Sequence, residues 1–211
     1  AHALIAATTG SPSILIHDRG IASLGNAVNA AMLTVNAGGT LRISEPRPGA
    51  NNGDTVGSAT VTGATTLAAG STLEYRALTS FDPGMLTAQG GIALNGATLR
   101  IVVEDPANPD AIGFQRTLVG YGDSTKLTGT FAGLPANGAL IQASNAPGVW
   151  YAISYGSNSN AFIQITRAAA PVVPPGGGGG PAAIPALAPA GLALLSAGLA
   201  GMGMVRRRKR G

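Results

Sequence analysis

The chain reads Leu33-Thr-Val-Asn-Ala-Gly-Gly-Thr-Leu-Arg-Ile43, and this pattern returns twice. The second copy is Thr66-Leu-Ala-Ala-Gly-Ser-Thr-Leu-Glu-Tyr75, and the third is Ile92-Ala-Leu-Asn-Gly-Ala-Thr-Leu-Arg-Ile101. In every copy a glycine comes two residues before a Thr-Leu pair, and apolar residues alternate with polar ones after it. Each copy therefore predicts a short strand, a tight glycine turn and a second short strand.

A unit of this size cannot bury its apolar face alone, so stacked copies are expected to share one core. We predict an all-β body in the form of a right-handed parallel β-helix or a similar solenoid. The offsets between copies, 32 and 26 residues, are unequal, so successive hairpins in an antiparallel β-sandwich are the alternative. The equivalent positions are Gly38, Gly70 and Gly96; Thr40, Thr72 and Thr98; Leu41, Leu73 and Leu99; and Ile43, Tyr75 and Ile101.

The repeats resemble those of autotransporter-type passenger domains and related bacterial surface proteins over residues 25–167. The stretch Gly129-Thr-Phe-Ala-Gly-Leu-Pro135, followed by Trp150-Tyr-Ala-Ile-Ser-Tyr155, resembles the strand-rich end piece of such domains. Five of the nine aromatic residues lie between Phe131 and Phe162. They are therefore predicted to cap the open end of the stack.

Further strands are predicted outside the three copies, and the last two should form a hairpin. They are Ser13–His17, Phe114–Tyr121, Ala139–Ala143, Trp150–Tyr155 and Ala161–Thr166. Ile21–Leu33 is predicted to be a degenerate coil, and Glu45–Gly57 a projecting loop suited to binding. The sequence starts at Ala1 without a secretory signal, so we expect a signal and further coils upstream.

The composition changes twice near the C-terminus. Residues 168–183 are rich in proline and glycine, which predicts a disordered linker. Ile184–Val205 then has 22 residues and no charge, the length of a helix that crosses a bilayer. Pro185 and Pro189 weaken this helix, which suits a segment that is held briefly and then cut. The basic residues that follow are expected to stay cytoplasmic; they are Arg206, Arg207, Arg208, Lys209 and Arg210.

This order of features resembles the tripartite sorting signal of the PEP-CTERM-like families, and most closely their IPTL-CTERM type. Ile184, Pro185 and Leu187 match the Ile-Pro-Thr-Leu motif, and Ala186 replaces its threonine. The resemblance implies that an exosortase, a membrane-embedded cysteine transpeptidase of Gram-negative bacteria, cuts near the motif. The product would pass from the inner membrane to the cell surface or extracellular matrix. An ordinary membrane anchor without processing is the alternative.

The distribution of charge argues against nucleic acid as a partner. Residues 1–183 carry eight Lys/Arg and nine Asp/Glu, so the net charge of +4 comes entirely from the basic tail. A body without a basic excess offers no electrostatic footprint for nucleic acid. The chain has no cysteine, which excludes disulfides and thiolate metal sites. We expect no cofactor.

Candidate catalytic residues are few. His17 and Asp18, beside Ser11 or Ser13, supply the residue types of a catalytic triad. Neighbours on a strand point to opposite faces, however, so exposed polar residues at a strand end are the favoured interpretation. Arg42, Glu74 and Arg100 occupy equivalent positions in the three copies. They are expected to form a salt-bridged ladder rather than a catalytic row.

Oxygen-bearing side chains cluster after the third copy. Glu104, Asp105, Asn108 and Asp110 could serve as ligands for Ca²⁺, although their spacing is that of an ordinary turn. Gly120-Tyr-Gly-Asp123 matches a calcium-binding repeat only as a single copy, which is not informative.

These patterns divide the chain into a β body over residues 1–167, a linker over residues 168–183 and a sorting signal over residues 184–211. The function predicted from them is structural or adhesive and not enzymatic. The expected partners are a sorting protease, the membrane and a surface polysaccharide. The alternatives are a fragment of a secreted carbohydrate-active β-helix enzyme and a fragment of an autotransporter passenger.

Overall fold

The computed structural model describes residues 2–5, 12–24, 28–43, 58–77, 84–156 and 161–172. The chain divides into two compact units, Ala1–Ala170 and Pro171–Gly211, and nearly all described residues belong to the first. In the described ranges the regular structure consists of strands and one 3₁₀ helix, Ser124–Lys126. The all-β class predicted for the body is confirmed.

The described strands lie in three sheets. Sheet 1 contains β1 (His2–Ile5), β3 (Ile21–Leu24), β6 (Thr40–Ile43), β9 (Thr72–Ala77) and β12 (Thr98–Val103). Sheet 2 contains β2 (Ser13–Ile16), β5 (Met32–Val35), β8 (Thr65–Leu67), β11 (Ile92–Ala93) and β14 (Leu127–Thr128). Sheet 3 contains β4 (Val28–Ala30), β7 (Ala59–Val61), β10 (Leu86–Ala88), β13 (Gln115–Gly120), β17 (Phe162–Ala168), β16 (Trp150–Tyr155) and β15 (Leu140–Gln142).

The chain visits the sheets in a fixed order. From β2 to β13 each group of three strands contributes one strand to sheet 2, one to sheet 1 and one to sheet 3. Every pair formed between successive groups is parallel. The copies therefore do not pair as the hairpins of an antiparallel sandwich. Ile21–Leu33, predicted as a degenerate coil, supplies β3, β4 and the start of β5.

The register of sheet 1 is the one that the Thr-Leu alignment predicts. Thr40 pairs with Thr72, and Thr72 pairs with Thr98, and the following leucines pair in the same way. The glycine before each pair adopts a left-handed conformation, with φ near 75° at Gly38. A side chain is strained at such an angle, so glycine is required. This turn joins β5 in sheet 2 to β6 in sheet 1, so it is a corner between sheets and not a hairpin.

Alternating side chains build one core inside the three sheets. Leu33, Val35, Leu41 and Ile43 are buried, and the residues between them face outward. The buried aromatic side chains that lie in the last strands and their connecting loops include Phe131, Tyr151 and Tyr155. These three residues are buried in the core, and their role as a cap stays a prediction. The predicted cap is wrong for Trp150 and Phe162, because strand alternation turns both to the outer face of sheet 3.

Sheet 3 changes direction at its C-terminal end. Strand β17 pairs antiparallel with β13, β16 with β17, and β15 with β16. The predicted hairpin is confirmed as β16 and β17, and the other predicted strands appear as β2, β13 and β15. This antiparallel addition closes the exposed edge of β13. An open edge would otherwise be available to pair with another chain.

Sheet 1 is closed at the same end by a side chain. The Val103 amide donates to Oδ1 of Asn145 at 2.9 Å, and Nδ2 of Asn145 donates to the Val103 carbonyl at 2.7 Å. The carboxamide thus makes the two hydrogen bonds that a neighbouring strand would make. The Ser144 amide adds a bond of 2.8 Å to the carbonyl of Ile101. Strand β12 therefore has a specific terminator along its second half.

Candidate functional site

The charged column on sheet 1 is a salt-bridged ladder, as the sequence predicts. Nε of Arg42 lies 3.0 Å from Oε1 of Glu74, and Nη1 of Arg100 lies 3.3 Å from Oε2 of Glu74. The Glu74 side chain is only 3% exposed, whereas that of Arg100 is 53% exposed. Nε of Arg100 also donates to Oγ of Ser144 at 3.2 Å. The column therefore connects three copies of the repeat to the loop that contains Ser144.

The acidic residues after β12 make hydrogen bonds within the chain. Asp105 accepts from the amides of Ala107 and Asn108 and from Nδ2 of Asn108, with distances of 3.0, 3.3 and 3.0 Å. The Asn108 side chain and then the Ala107 amide lower the pKa of Asp105 below its ordinary value. This is a turn stabilised by an aspartate. Within the described residues no three potential metal ligands converge, so the calcium interpretation gains no support.

Asp110 instead forms a buried ion pair. It accepts from Nε of Arg116 at 2.7 Å and from Nη2 at 2.5 Å, and the two side chains are 7% and 3% exposed. The Tyr151 hydroxyl lies 3.4 Å from Oδ2 of Asp110. Burial first, and the charge of Asp110 second, raise the pKa of Tyr151 to about 12. Burial would lower the pKa of Arg116, but Asp110 raises it above its ordinary value. Asp110 thus connects its turn to Arg116 in β13 and to Tyr151 in β16.

The described residues of the candidate triad do not come together. Ser11 lies outside the described residues, and Ser13 and His17 are both exposed at opposite ends of β2. Four residues along a strand span about 13 Å, which is too far for proton transfer. Asp18 lies 3.8 Å from the exposed Arg19. The interpretation as exposed residues at a strand end is confirmed.

The Gly-Tyr-Gly-Asp stretch is a turn as well. The Tyr121 hydroxyl donates to the carbonyl of Gly156 at 3.2 Å. Asp123 caps the 3₁₀ helix and accepts from the amide of Thr125 at 2.8 Å, which is the leading cause of its lowered pKa. Both residues serve the local fold.

The predicted sorting motif, Ile184 to Leu187, and the basic residues Arg206 to Arg210 lie outside the described residues, as does the loop Glu45–Gly57. No helix in the described part of the chain is long and apolar enough to cross a membrane.

Comparison with known proteins decides what the segment is. Residues 182–209 match the family model of the IPTL-CTERM motif. The chain carries a C-terminal sorting signal. The match includes all four residues of the predicted motif and the first four of the five basic residues. No curated protein and no solved structure matches the chain. The resemblance of the repeats to autotransporter passengers stays a prediction.

Proposed function

We propose that this chain is an exported bacterial protein with a structural or adhesive role at the cell surface or in the extracellular matrix. The observation that carries the proposal is the IPTL-CTERM motif at residues 182–209, because a sorting signal of this type accompanies export. The body adds a second argument. Its surface is shaped by repeated strand pairing, and repeated pairing produces extended, regular surfaces suited to contact and scaffolding.

The proposed architecture of the body is a right-handed parallel β-helix. Three consecutive strands contribute one strand to each sheet, and each sheet gains one parallel strand with every group. Side chains that face inward from all three sheets belong to one cluster of buried residues. A parallel coil with one continuous core accounts for these features, and its handedness follows the preference of parallel crossovers.

The proposed maturation is cleavage near Ile184 by an exosortase-type transpeptidase. The apolar run Ile184–Val205 would be held in the inner membrane during export, with Arg206–Arg210 on the cytoplasmic side. The proline- and glycine-rich linker over residues 168–183 would hold the motif away from the body, so that an enzyme in the membrane can reach it. The proposed ligand of the mature protein is a surface polysaccharide.

The test is to follow both ends of the chain. A tag after Ala170 and a second tag after Gly211 are introduced in a host that has the sorting enzyme and in a strain that lacks it. We expect the enzyme to remove the C-terminal tag while the body becomes accessible to protease outside the cell. An intact chain that stays in the inner membrane in both strains would contradict the proposal.

A pair of variants makes this test specific to the motif. We expect the double substitution Ile184→Ala and Pro185→Ala to keep the C-terminal tag on the chain. The matched control is Pro174→Ala with Pro175→Ala, which changes two residues of the linker and should be processed as the wild type is. Equal processing of both variants would show that the motif is not the recognition element.

A further inference from the structure

The outer face of the antiparallel part of sheet 3 differs from the other surfaces of the body. In β16 the residues Tyr151, Ile153 and Tyr155 are buried, so Trp150 and the alternate residues after it point outward. The neighbouring strands follow the same alternation. The outward side chains of β13, β15, β16 and β17 therefore share one surface, which covers four adjacent strands.

Cross-strand pairing brings amide and hydroxyl side chains together on this surface. Gln142 pairs with Trp150, Gln115 pairs with Thr166, and Thr117 pairs with Gln164. Nε2 of Gln164 donates to Oγ1 of Thr117 at 3.1 Å, as expected for side chains on one face. We name this surface the amide face and define it by Gln115, Thr117, Gln142, Trp150, Gln164 and Thr166.

The composition of the amide face is unusual for this chain. It holds three of the four glutamines and the only tryptophan of the sequence. No residue that defines it is charged. The arginines on the same strands point to the opposite side: Arg116 is buried against Asp110, and the guanidinium of Arg167 lies 6.0 Å from the ring centroid of the buried Tyr151. Sheet 1, in contrast, presents the charged ladder of Arg42, Glu74 and Arg100 on its outer face.

Two neighbours of Trp150 on the outer face are small residues. Its cross-strand neighbour on β17 is Ala168, and the next outward residue on β16 is Ala152. These small side chains rise little above the sheet beside the indole ring. Trp150 is half-buried, which fixes the ring against the sheet. A fixed aromatic ring provides contact area at a low cost in conformational entropy.

We propose that the amide face binds a neutral polysaccharide. Carboxamides donate and accept hydrogen bonds, as sugar hydroxyls do, and the apolar face of a sugar ring can pack on an indole ring. The absence of charge on the face favours an uncharged ligand, because an acidic polymer would gain no countercharge there and would lose hydration. The surface spans four adjacent strands, so it accepts a chain that extends across them. This inference names the ligand site of the proposed adhesive role and rests on that role.

The test is affinity electrophoresis of the full chain in detergent, through native gels that contain dissolved dextran, mannan or xyloglucan. Alginate serves as the acidic comparison. We expect at least one neutral polymer to retard the wild type, and Trp150→Ala to weaken this binding about tenfold, as the loss of a central aromatic contact does. Gln142→Glu places a charge beside the ring without a change of size, and it should weaken binding as well. Trp150→Phe should restore part of the affinity.

Met32→Ala is the matched control, because Met32 is an exposed apolar residue of sheet 2, 48% accessible, outside the amide face. It should bind as the wild type does. Thermal unfolding of each variant separates loss of binding from loss of fold, and Gln142→Glu tests the site if Trp150→Ala does not fold. Binding to no neutral polymer, binding only to alginate, or retardation unchanged in both Trp150→Ala and Gln142→Glu would overturn the inference. The two-tag experiment would still decide the proposed export, since it does not depend on a ligand.

Discussion

The stacked part of the body and its closing part keep their order by different means. From β1 to β12 the strands are parallel, and equivalent residues of successive groups pair with one another. In the closing part, residues 104–168, the strands added to the edge of β13 pair antiparallel, and side chains bond to backbone groups that have no neighbouring strand. A stack can thus be built from a degenerate repeat, whereas its termination requires particular residues at particular positions.

Tyr155 is an example of a side chain that bonds to backbone groups without a neighbouring strand. Its hydroxyl accepts from the amide of Phe131 at 3.0 Å and donates to the carbonyl of Leu134 at 2.7 Å. One buried side chain therefore satisfies two backbone groups of a loop that has no strand partner at this point. The same groups in the stack are satisfied by the next copy. Substitutions in the closing part should consequently cost more than substitutions at equivalent exposure in the stack.

The largest effect is expected at the buried ion pair of the closing part. Asp110→Ala leaves Arg116 buried without its countercharge, which should lower the free energy of unfolding by about 3–5 kcal/mol. Urea titration of the variant and the wild type measures this difference. The double substitution Asp110→Leu with Arg116→Met removes both charges and should be less destabilised than the single variant. If Asp110→Ala costs less than about 1 kcal/mol, the pair does not hold the turn in place.

Within the stack, the greatest effect is expected at the charged ladder. Glu74 is buried between two arginines, so Glu74→Ala should cost about 1.5–3 kcal/mol, the range for hydrogen bonds to charged groups. Arg100→Ala removes an exposed partner and should cost about 1 kcal/mol or less. Unfolding of both variants in urea gives the comparison. Equal losses would mean that burial of Glu74 does not set the strength of the ladder.

The free energy of unfolding should also fall at alkaline pH because of a residue in the closing part. The pKa of the Tyr151 phenol is about 10 in the unfolded chain, and burial raises it to about 12 in the folded one. Between these values only the unfolded state loses the proton. The contribution of this phenol to the free energy of unfolding is therefore complete below pH 10. Above pH 10 it decreases by at most about 1.4 kcal/mol per pH unit. Tyr151→Phe should reduce this slope, and an unchanged slope in urea titrations at pH 9 to 11.5 would contradict the burial of the hydroxyl.

The smallest effect is expected at the edge of sheet 1. Asn145→Ala removes two hydrogen bonds to Val103 and should lower the free energy of unfolding by about 1 kcal/mol. Amide hydrogen exchange should quicken at Val103 and remain unchanged at Leu41 in the middle of the sheet. Asn145→Asp keeps the acceptor for the Val103 amide but loses the donor to its carbonyl. It should retain more protection than Asn145→Ala, and faster exchange throughout sheet 1 would show that the effect is not local.

The sequence predicts the strands of sheet 1 better than those of sheet 3. The Thr-Leu pairs indicated both the strands of sheet 1 and their register, because a two-residue match fixes which side chains pair. The strands of sheet 3 before β13, such as Val28–Ala30 and Leu86–Ala88, are three residues long. Two apolar residues around one polar residue are too short a pattern to recognise as a strand. The sequence therefore does not predict that each group of three strands contributes one strand to sheet 3.

The closing part was predicted in its strands but not in its contacts. The alternation in Trp150–Tyr155 indicated β16, yet no pattern marks Asp110 and Arg116 as partners. They lie six positions apart on either side of a turn, and only the fold brings them together. The sequence offers the carboxylates of this turn as candidate calcium ligands, because composition alone does not show which donors surround an oxygen. The amide face was missed for the same reason, since its glutamines are far apart in sequence.

The parallel stack is tested most directly by the pairing of Thr72 with Thr98, which are 26 positions apart in sequence. The natural chain has no cysteine, so Thr72→Cys with Thr98→Cys introduces the only two thiols. Cα atoms of paired strands lie within the range of about 4.4–6.8 Å that a disulfide spans. We predict that mild oxidation forms an intramolecular disulfide in the folded monomer. Failure to form it, while both thiols still react with a soluble thiol reagent, would contradict the parallel register and favour separate hairpins.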